Sequence, residues 1–234
     1  MIYINDLSLK IQNDVILSNI NLHIKKGQIT GLVGRNGCGK TMLMKCITGF
    51  VKPTEGEVIF DGKKIGQDID FPSNTGIIIE TPSFVPYYSG QKNLLELASL
   101  QRKIGKSEVE EVLKKVGLYE ARNKMVRKYS LGMRQRLGIA QALMENPDTL
   151  ILDEPMNGLD NECVNLIRTI LADLKKQGKT ILLVSHNAED IKVLCDSIYE
   201  MDKGVISNEI NQELLQAQIG EEPHVTMTVE VEKP

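Results

Sequence analysis

The sequence predicts an α/β fold, with a parallel-sheet core, an antiparallel β subdomain beside it and an α-helical subdomain inserted into it. Three observations carry this expectation. Short apolar runs alternate with stretches of helical period, the order that builds a parallel sheet covered by helices. An Asp61-Gly62 pair joins two β-prone runs, residues 57–60 and 63–65, and Asp-Gly tolerates the positive φ that a tight hairpin turn demands. With residues 1–24 this hairpin makes an antiparallel sheet. From about residue 82 to 146 the period is helical throughout, which marks an insertion.

Each element has its own reason. Ile29-Thr30-Gly31-Leu32-Val33 is a short apolar run entering a Gly-rich turn, as a buried strand does. Residues 41–50 then put Leu43, Cys46 and Ile47 on one helical face, with Gly49 near the end. Within the insertion, Ser107 and Glu110 have the spacing of a capping box. Val109, Val112, Leu113 and Val116 form an apolar stripe closed by Gly117. Residues 149–152 and 180–184 are two further buried strands. Between them Cys163, Ile167, Ile170, Leu171 and Leu174 keep helical spacing, and Gly178 follows Lys175-Lys176 as a stop. Strand, helix and strand of this length form a parallel crossover unit. The domain so defined spans residues 1–210. In the tail, 211–234, residues 211–219 read as a short helix. Val225, Met227, Val229 and Val231 then alternate with polar residues as in a half-buried strand, and no function is legible there.

Composition narrows the function. The 234 residues, 41% hydrophobic and 25% charged, suit one generous folded domain and exclude wholesale disorder. Lys and Arg number 28 against 31 Asp and Glu, a net charge of −3, so a generally basic nucleic-acid binder is not expected. No apolar run approaches the ~18 residues that span a bilayer, and residues 1–6 show no export signal. Cys38, Cys46, Cys163 and Cys195 lack paired spacing, which fits a reducing compartment and argues against structural zinc.

The chemistry begins at Gly34-Arg35-Asn36-Gly37-Cys38-Gly39-Lys40-Thr41, which satisfies the phosphate-loop pattern G-x-x-x-x-G-K-[ST] between a strand and a helix. This makes the parallel core that of a P-loop NTPase. Glycines let consecutive backbone N–H groups wrap a phosphate chain, and the helix that follows adds its positive end. Lys40 reaches the terminal phosphates and the Thr41 hydroxyl serves Mg²⁺. Cys38 fills a small-residue slot of the loop. Leu150-Ile151-Leu152-Asp153-Glu154-Pro155 is the second element. Taken alone, its acidic pair reads equally well as a turn after a core strand. Behind a phosphate loop on a parallel strand, Asp153 is set to hold Mg²⁺ through water, and Glu154 to polarise the water that attacks the γ-phosphate.

Tyr129-Ser130-Leu131-Gly132-Met133-Arg134-Gln135-Arg136 resembles the signature motif of ATP-binding cassette (ABC) ATPases, usually Leu-Ser-Gly-Gly-Gln. Asn157-Gly158-Leu159-Asp160 looks like that family's D-loop, and His186, after Val184-Ser185, stands at its switch-histidine position. Taken in order, the motifs cover roughly residues 7–206. The resemblance implies ATP and Mg²⁺ as ligands and a second cassette as partner, in a homodimer or a heterodimer. Ser130 and Gly132 of one cassette, with Asp160, then cover the ATP held on residues 34–41 of the other. It also implies integral membrane permease subunits and a cytoplasmic location, peripheral on the inner face of the cell membrane.

Departures from the family pattern carry information. Leu131 and Met133 replace signature residues, and such Ser-Leu-Gly-Met variants look like bacitracin and lantibiotic efflux and self-protection cassettes. Glu80 occupies the Q-loop place where Gln is usual, and its carboxylate is a further candidate Mg²⁺ ligand. The adenine-stacking aromatic falls near Ile11, so Ile11 with Val15 offers apolar contact in place of a stack. Arg127, Lys128, Arg134 and Arg136 read as solvated face or inter-cassette contacts rather than a nucleic-acid track. The leading expectation is the ATPase subunit of an efflux transporter. A soluble single-cassette assembly ATPase and an import cassette are the alternatives.

Overall fold

Two sheets of different kind organise the chain in the computed structural model, which describes residues 1–211. In chain order the first elements are β1 (Ile2–Ile11), β2 (Asp14–Ile24), β3 (Ile29–Val33), α1 (Lys40–Ile47), β4 (Glu55–Phe60), β5 (Lys63–Lys64) and β6 (Thr75–Ile78). The inserted stretch holds α2 (Gly90–Gln101), α3 (Lys106–Lys115) and α4 (Leu131–Leu143). After it come β7 (Thr149–Asp153), α5 (Asn161–Lys176), β8 (Thr180–Val184), α6 (Ala188–Leu194), β9 (Ser197–Asp202) and β10 (Val205–Asn211). One sheet is four-stranded in the order β2-β1-β4-β5, with antiparallel pairs. The other is six-stranded in the order β10-β9-β3-β8-β7-β6, parallel except for β10.

The parallel sheet is buried on both faces, as crossover helices require. Ile181 and Leu183 of β8 join Leu150 and Leu152 of β7 in a core shared with α4, α5 and the helical insertion. Leu182 and Val184, pointing the other way, join Ile151 and Leu32 in a core shared with α1 and the antiparallel sheet. The strand period of two thus sorts residues between two hydrophobic clusters and wedges the sheet between the two subdomains. Among the described residues no helix is long and apolar enough to cross a membrane.

Local expectations meet the structure in detail. Asp61 and Gly62 both have positive φ (48° and 79°), the requirement of a type I′ turn, and Phe60 pairs with Lys63 across it. The capping box is shifted. Gly105 is the N-cap of α3, and its N–H donates to Glu108 Oε2 at 2.9 Å, while Glu110 instead accepts from Gln91. The helix begins two residues earlier than Ser107 suggests because Gly105 supplies the extended backbone that an N-cap needs. Strands β6 and β9 escape the sequence reading because one is only four residues and the other breaks its apolar run with Glu200 and Asp202. Asn211 closes β10 instead of opening a helix; the rest of the tail reading, residues 212–234, lies outside the described residues. The last inserted helix returns to the core, for a Cβ on Gly76 of β6 would stand 2.1 Å from the Ala142 carbonyl of α4.

Candidate functional site

The phosphate loop runs from the end of β3 to the first residue of α1 against a wall made by β9. Gly34 has φ +151°, and a Cβ there would stand 2.2 Å from the Met201 carbonyl; no larger residue fits. Gly39 is the N-cap of α1 at φ +111°. It offers no side-chain cap, so the first-turn N–H groups of α1 stay open for an anion. Lys40, only 9% exposed, donates from Nζ to the carbonyls of Gly34 (2.7 Å) and Arg35 (3.0 Å). Cys38 is buried, with its Sγ packed beneath Gly34, which suits its reading as a small-residue slot.

Carboxylates close the other side. Parallel pairing of β7 with β8 sets Asp153 beside Val184 and carries the next residue, Glu154, to the mouth of the loop. The Thr41 hydroxyl donates to Asp153 Oδ2 at 2.8 Å. Glu154 sits in the left-handed region (φ 47°), a strain of ~1–3 kcal/mol that persists only where neighbours hold it. Two neighbours do. Its N–H donates to Val184 O at 3.0 Å, and its Oε2 lies 2.7 Å from His186 Nδ1. Glu80 is also left-handed (φ 63°), and its Oε1 accepts from Lys45 Nζ of α1 at 2.5 Å. Ile16, Lys40, Thr41, Glu80, Asp153 and Glu154 are among the residues that surround a cleft of about 650 Å³. Asn36 and Gly37 also line it, while Arg35 and His186 flank a neighbouring cavity beside Gly34.

Other predicted residues do not line that cleft, although Leu131, between Ser130 and Gly132, does. Ile11 and Val15 are exposed on the β1–β2 hairpin and do not line it, whereas Ile16 does. Ser130 is the N-cap of α4, its Oγ accepting from Met133 N at 3.2 Å. Gly132 packs on the turn at Gly158 and Leu159. Asp160 caps α5 by accepting from Cys163 N at 2.8 Å, and that bond holds its carboxyl below the usual carboxylate range. Arg134 and Arg136 are spent on backbone carbonyls, of Tyr129 and of Val116 and Gly117.

Gln135 is the residue that motif reading missed. It is 8% exposed, lines the cleft, and donates from Nε2 to the carbonyls of Glu154 (3.2 Å) and Pro155 (3.0 Å). A signal existed in the chain. Gln135 shares the buried face of α4 with Ile139 and Ala142 at helical spacing, and a polar residue in such a stripe needs a partner.

A parallel sheet, an uncapped helix behind a glycine loop, a buried lysine and a strand ending in two carboxylates define a nucleotide-binding ATPase of the phosphate-loop class. Comparison with known proteins narrows this. The ABC transporter family profile matches residues 17–157. The chain is 42% identical over 204 residues to the uncharacterised ABC transporter ATP-binding protein YybJ of Bacillus subtilis, covering 87% of this chain and 94% of that one. It is 44% identical over 198 residues to the bacitracin transport ATP-binding protein BcrA of Enterococcus faecalis, covering 84% of this chain and 64% of that one. Among solved structures, the ATP-binding cassette MJ0796, a post-hydrolysis dimer bound to ADP and Pi, superposes with TM-score 0.81 at 26% identity, covering 91% and 99%. The chain belongs to the ABC transporter ATP-binding family, and its reaction is ATP hydrolysis.

Proposed function

We propose that this chain powers efflux of a peptide antibiotic or a related small molecule through separate membrane permease subunits, working as one of two paired cassettes on the inner face of the membrane. One observation carries the catalytic reading: His186 Nδ1 meets Glu154 Oε2 at 2.7 Å, beside a Thr41–Asp153 pair at 2.8 Å on the same phosphate loop. Glu154 is then the base for the attacking water, and His186 holds it and the terminal phosphate in line. Residues 34–40 bind the phosphates. Ile16 takes the apolar side of the base, with Ile11 and Val15 beyond it on the same hairpin.

The donor set suits Mg²⁺. Among the described residues no three His, Cys, Asp or Glu gather into a cage. A hydroxyl and a carboxylate in contact suit a cation that takes its other ligands from phosphate and water. Thr41 and Asp153 would hold it, with Glu80 within the same cleft once released from Lys45. When bound, the ion neutralises charge on the phosphates.

Ser130, Gly132 and Asp160 do not line the cleft of their own chain, although Leu131 between the first two borders it, and side chains at its rim suit a role on the nucleotide of a partner cassette. Likeness to the bacitracin transport protein supports a cargo of the bacitracin kind. The test is Glu154→Gln. It keeps shape but removes the base, which lowers the rate ~10²–10⁴-fold, and it accumulates an ATP-bound dimer visible by light scattering. Adding Ser130→Arg dissolves that dimer while ATP binding persists. A Glu154→Gln protein that hydrolyses at the unmodified rate, or binds ATP and stays monomeric at high concentration, overturns these assignments.

A further inference from the structure

Asp190, on α6, is a titratable group that the catalytic reading does not use, and it is only 2% exposed. Its two oxygens are committed in opposite directions. Oδ1 accepts from Arg168 Nε of α5 at 2.8 Å, and Oδ2 accepts from the Ser185 hydroxyl at 3.0 Å. Arg168 also donates from Nη2 to Glu189 Oε2 at 3.1 Å. Ser185 is 4% exposed and has a second bond, its Oγ accepting from Asn187 N at 3.1 Å.

The polarity of this chain of bonds is dictated by chemistry. An ionised carboxylate only accepts, so the single Ser185 proton is committed to Asp190. The Ser185 lone pairs are thereby left for the Asn187 N–H. Arg168, which cannot be deprotonated, keeps the Asp190 charge compensated in a site closed to water. Residues 185 and 187 bracket His186. The imidazole itself is 64% exposed and meets Glu154 at 2.7 Å, and the His186 N–H donates to the same Glu154 Oε2 at 3.4 Å, so backbone and ring approach one carboxylate together.

We propose that Ser185, Asp190 and Arg168 are positioning residues, a buried relay from α5 through α6 that locks the backbone around His186 so that Nδ1 meets Glu154. The proposal rests on the reading of His186 given above. The relay joins the β8–α6 turn to α5, and α5 is capped by Asp160 directly after the turn that packs on Gly132. It therefore ties the histidine to the helix that follows the candidate inter-cassette turn.

The experiment is a double-mutant cycle on the full chain, with kcat, ATP affinity and melting temperature measured for Ser185→Ala, His186→Ala and the pair. A displaced ring is a misplacement of a fraction of an ångström to an ångström, so Ser185→Ala lowers kcat roughly tenfold. ATP affinity stays within about twofold. In the His186→Ala background Ser185→Ala changes kcat no further, and Ser185→Thr, which restores the hydroxyl, recovers the rate. Arg168→Lys keeps the charge and loses the fork, lowers kcat less, and is likewise silent once His186 is gone. That variant carries the test should Ser185→Ala fold poorly. Multiplying effects of Ser185→Ala and His186→Ala, or an unchanged kcat in both Ser185→Ala and Arg168→Lys, overturns this proposal alone. An unchanged kcat in His186→Ala overturns the role of His186 and the relay with it.

Discussion

Replacing Gln135 by Met tests whether α4 is mechanically joined to the turn after β7 that carries Glu154. Methionine matches glutamine in length and fills the same buried position, so packing is nearly conserved and the amide donors are removed. The structure sets the magnitude. Gln135 Nε2 serves two carbonyls, but Glu154 O also accepts from Asn157 N at 3.1 Å and keeps that partner. Pro155 O loses the amide, and a buried acceptor left unpaired costs about 1–3 kcal/mol. A loss of about 2 kcal/mol lowers the melting temperature of a domain of this size by about 4–8 °C. Because both carbonyls adjoin the left-handed Glu154, part of the loss appears in the rate. About 1.4 kcal/mol of it gives a tenfold fall in kcat. Differential scanning calorimetry and a steady-state ATPase assay read the two effects. A Gln135→Met protein that melts within 1 °C of the unmodified chain and hydrolyses ATP at the same rate refutes the reasoning, since the two hydrogen bonds would then hold nothing.

Three further outcomes are expected. Gly76→Ala puts a Cβ 2.1 Å from the Ala142 carbonyl, so α4 must move off β6; overpacking of about 1–3 kcal/mol lowers the melting temperature by several degrees in the same calorimetry. Burial pushes the thiols of Cys46 and Cys195 up to about 12, so at pH 8 only about one in 10⁴ of each is thiolate, and Cys38 is also buried. Titration of the native chain with a chromogenic disulfide therefore shows a first phase from Cys163, the partly exposed one, itself slowed because burial and the Asp160 contact push its thiol up, and slower phases from the other three that speed up only in denaturant. Lys45 and Glu80 form an exposed pair, so Lys45→Met moves the melting temperature by less than about 2 °C. The freed carboxylate lowers the Mg²⁺ concentration that half-saturates hydrolysis, whereas Glu80→Gln raises it, as a magnesium titration of the ATPase rate will show.

The parts legible in the sequence are those whose physics is local. The phosphate loop is contiguous, and its glycines answer a turn that its own backbone makes. The strand running into Asp153 and Glu154 announces itself by ending an apolar run in two charges. The N-caps at Ser130 and Asp160 and the Asp61-Gly62 turn follow from single residues acting on adjacent N–H groups or φ angles. Local pattern alone is therefore enough for the reaction class and for the order of the motifs along the chain. The contacts that make a site of them belong to the tertiary structure. Thr41 and Asp153 are 112 residues apart, and Glu154 and His186 are 32 apart. Parallel register between β7 and β8 joins the second pair by setting Asp153 beside Val184, just ahead of both residues. Gln135 reaching two carbonyls, Glu80 taken by Lys45, Ile16 facing the cleft, and the buried Ser185–Asp190–Arg168 relay depend on which surfaces the helices and sheets bring together. A polar side chain's partner is chosen by that approach and by the exclusion of water around it, and no local pattern encodes either.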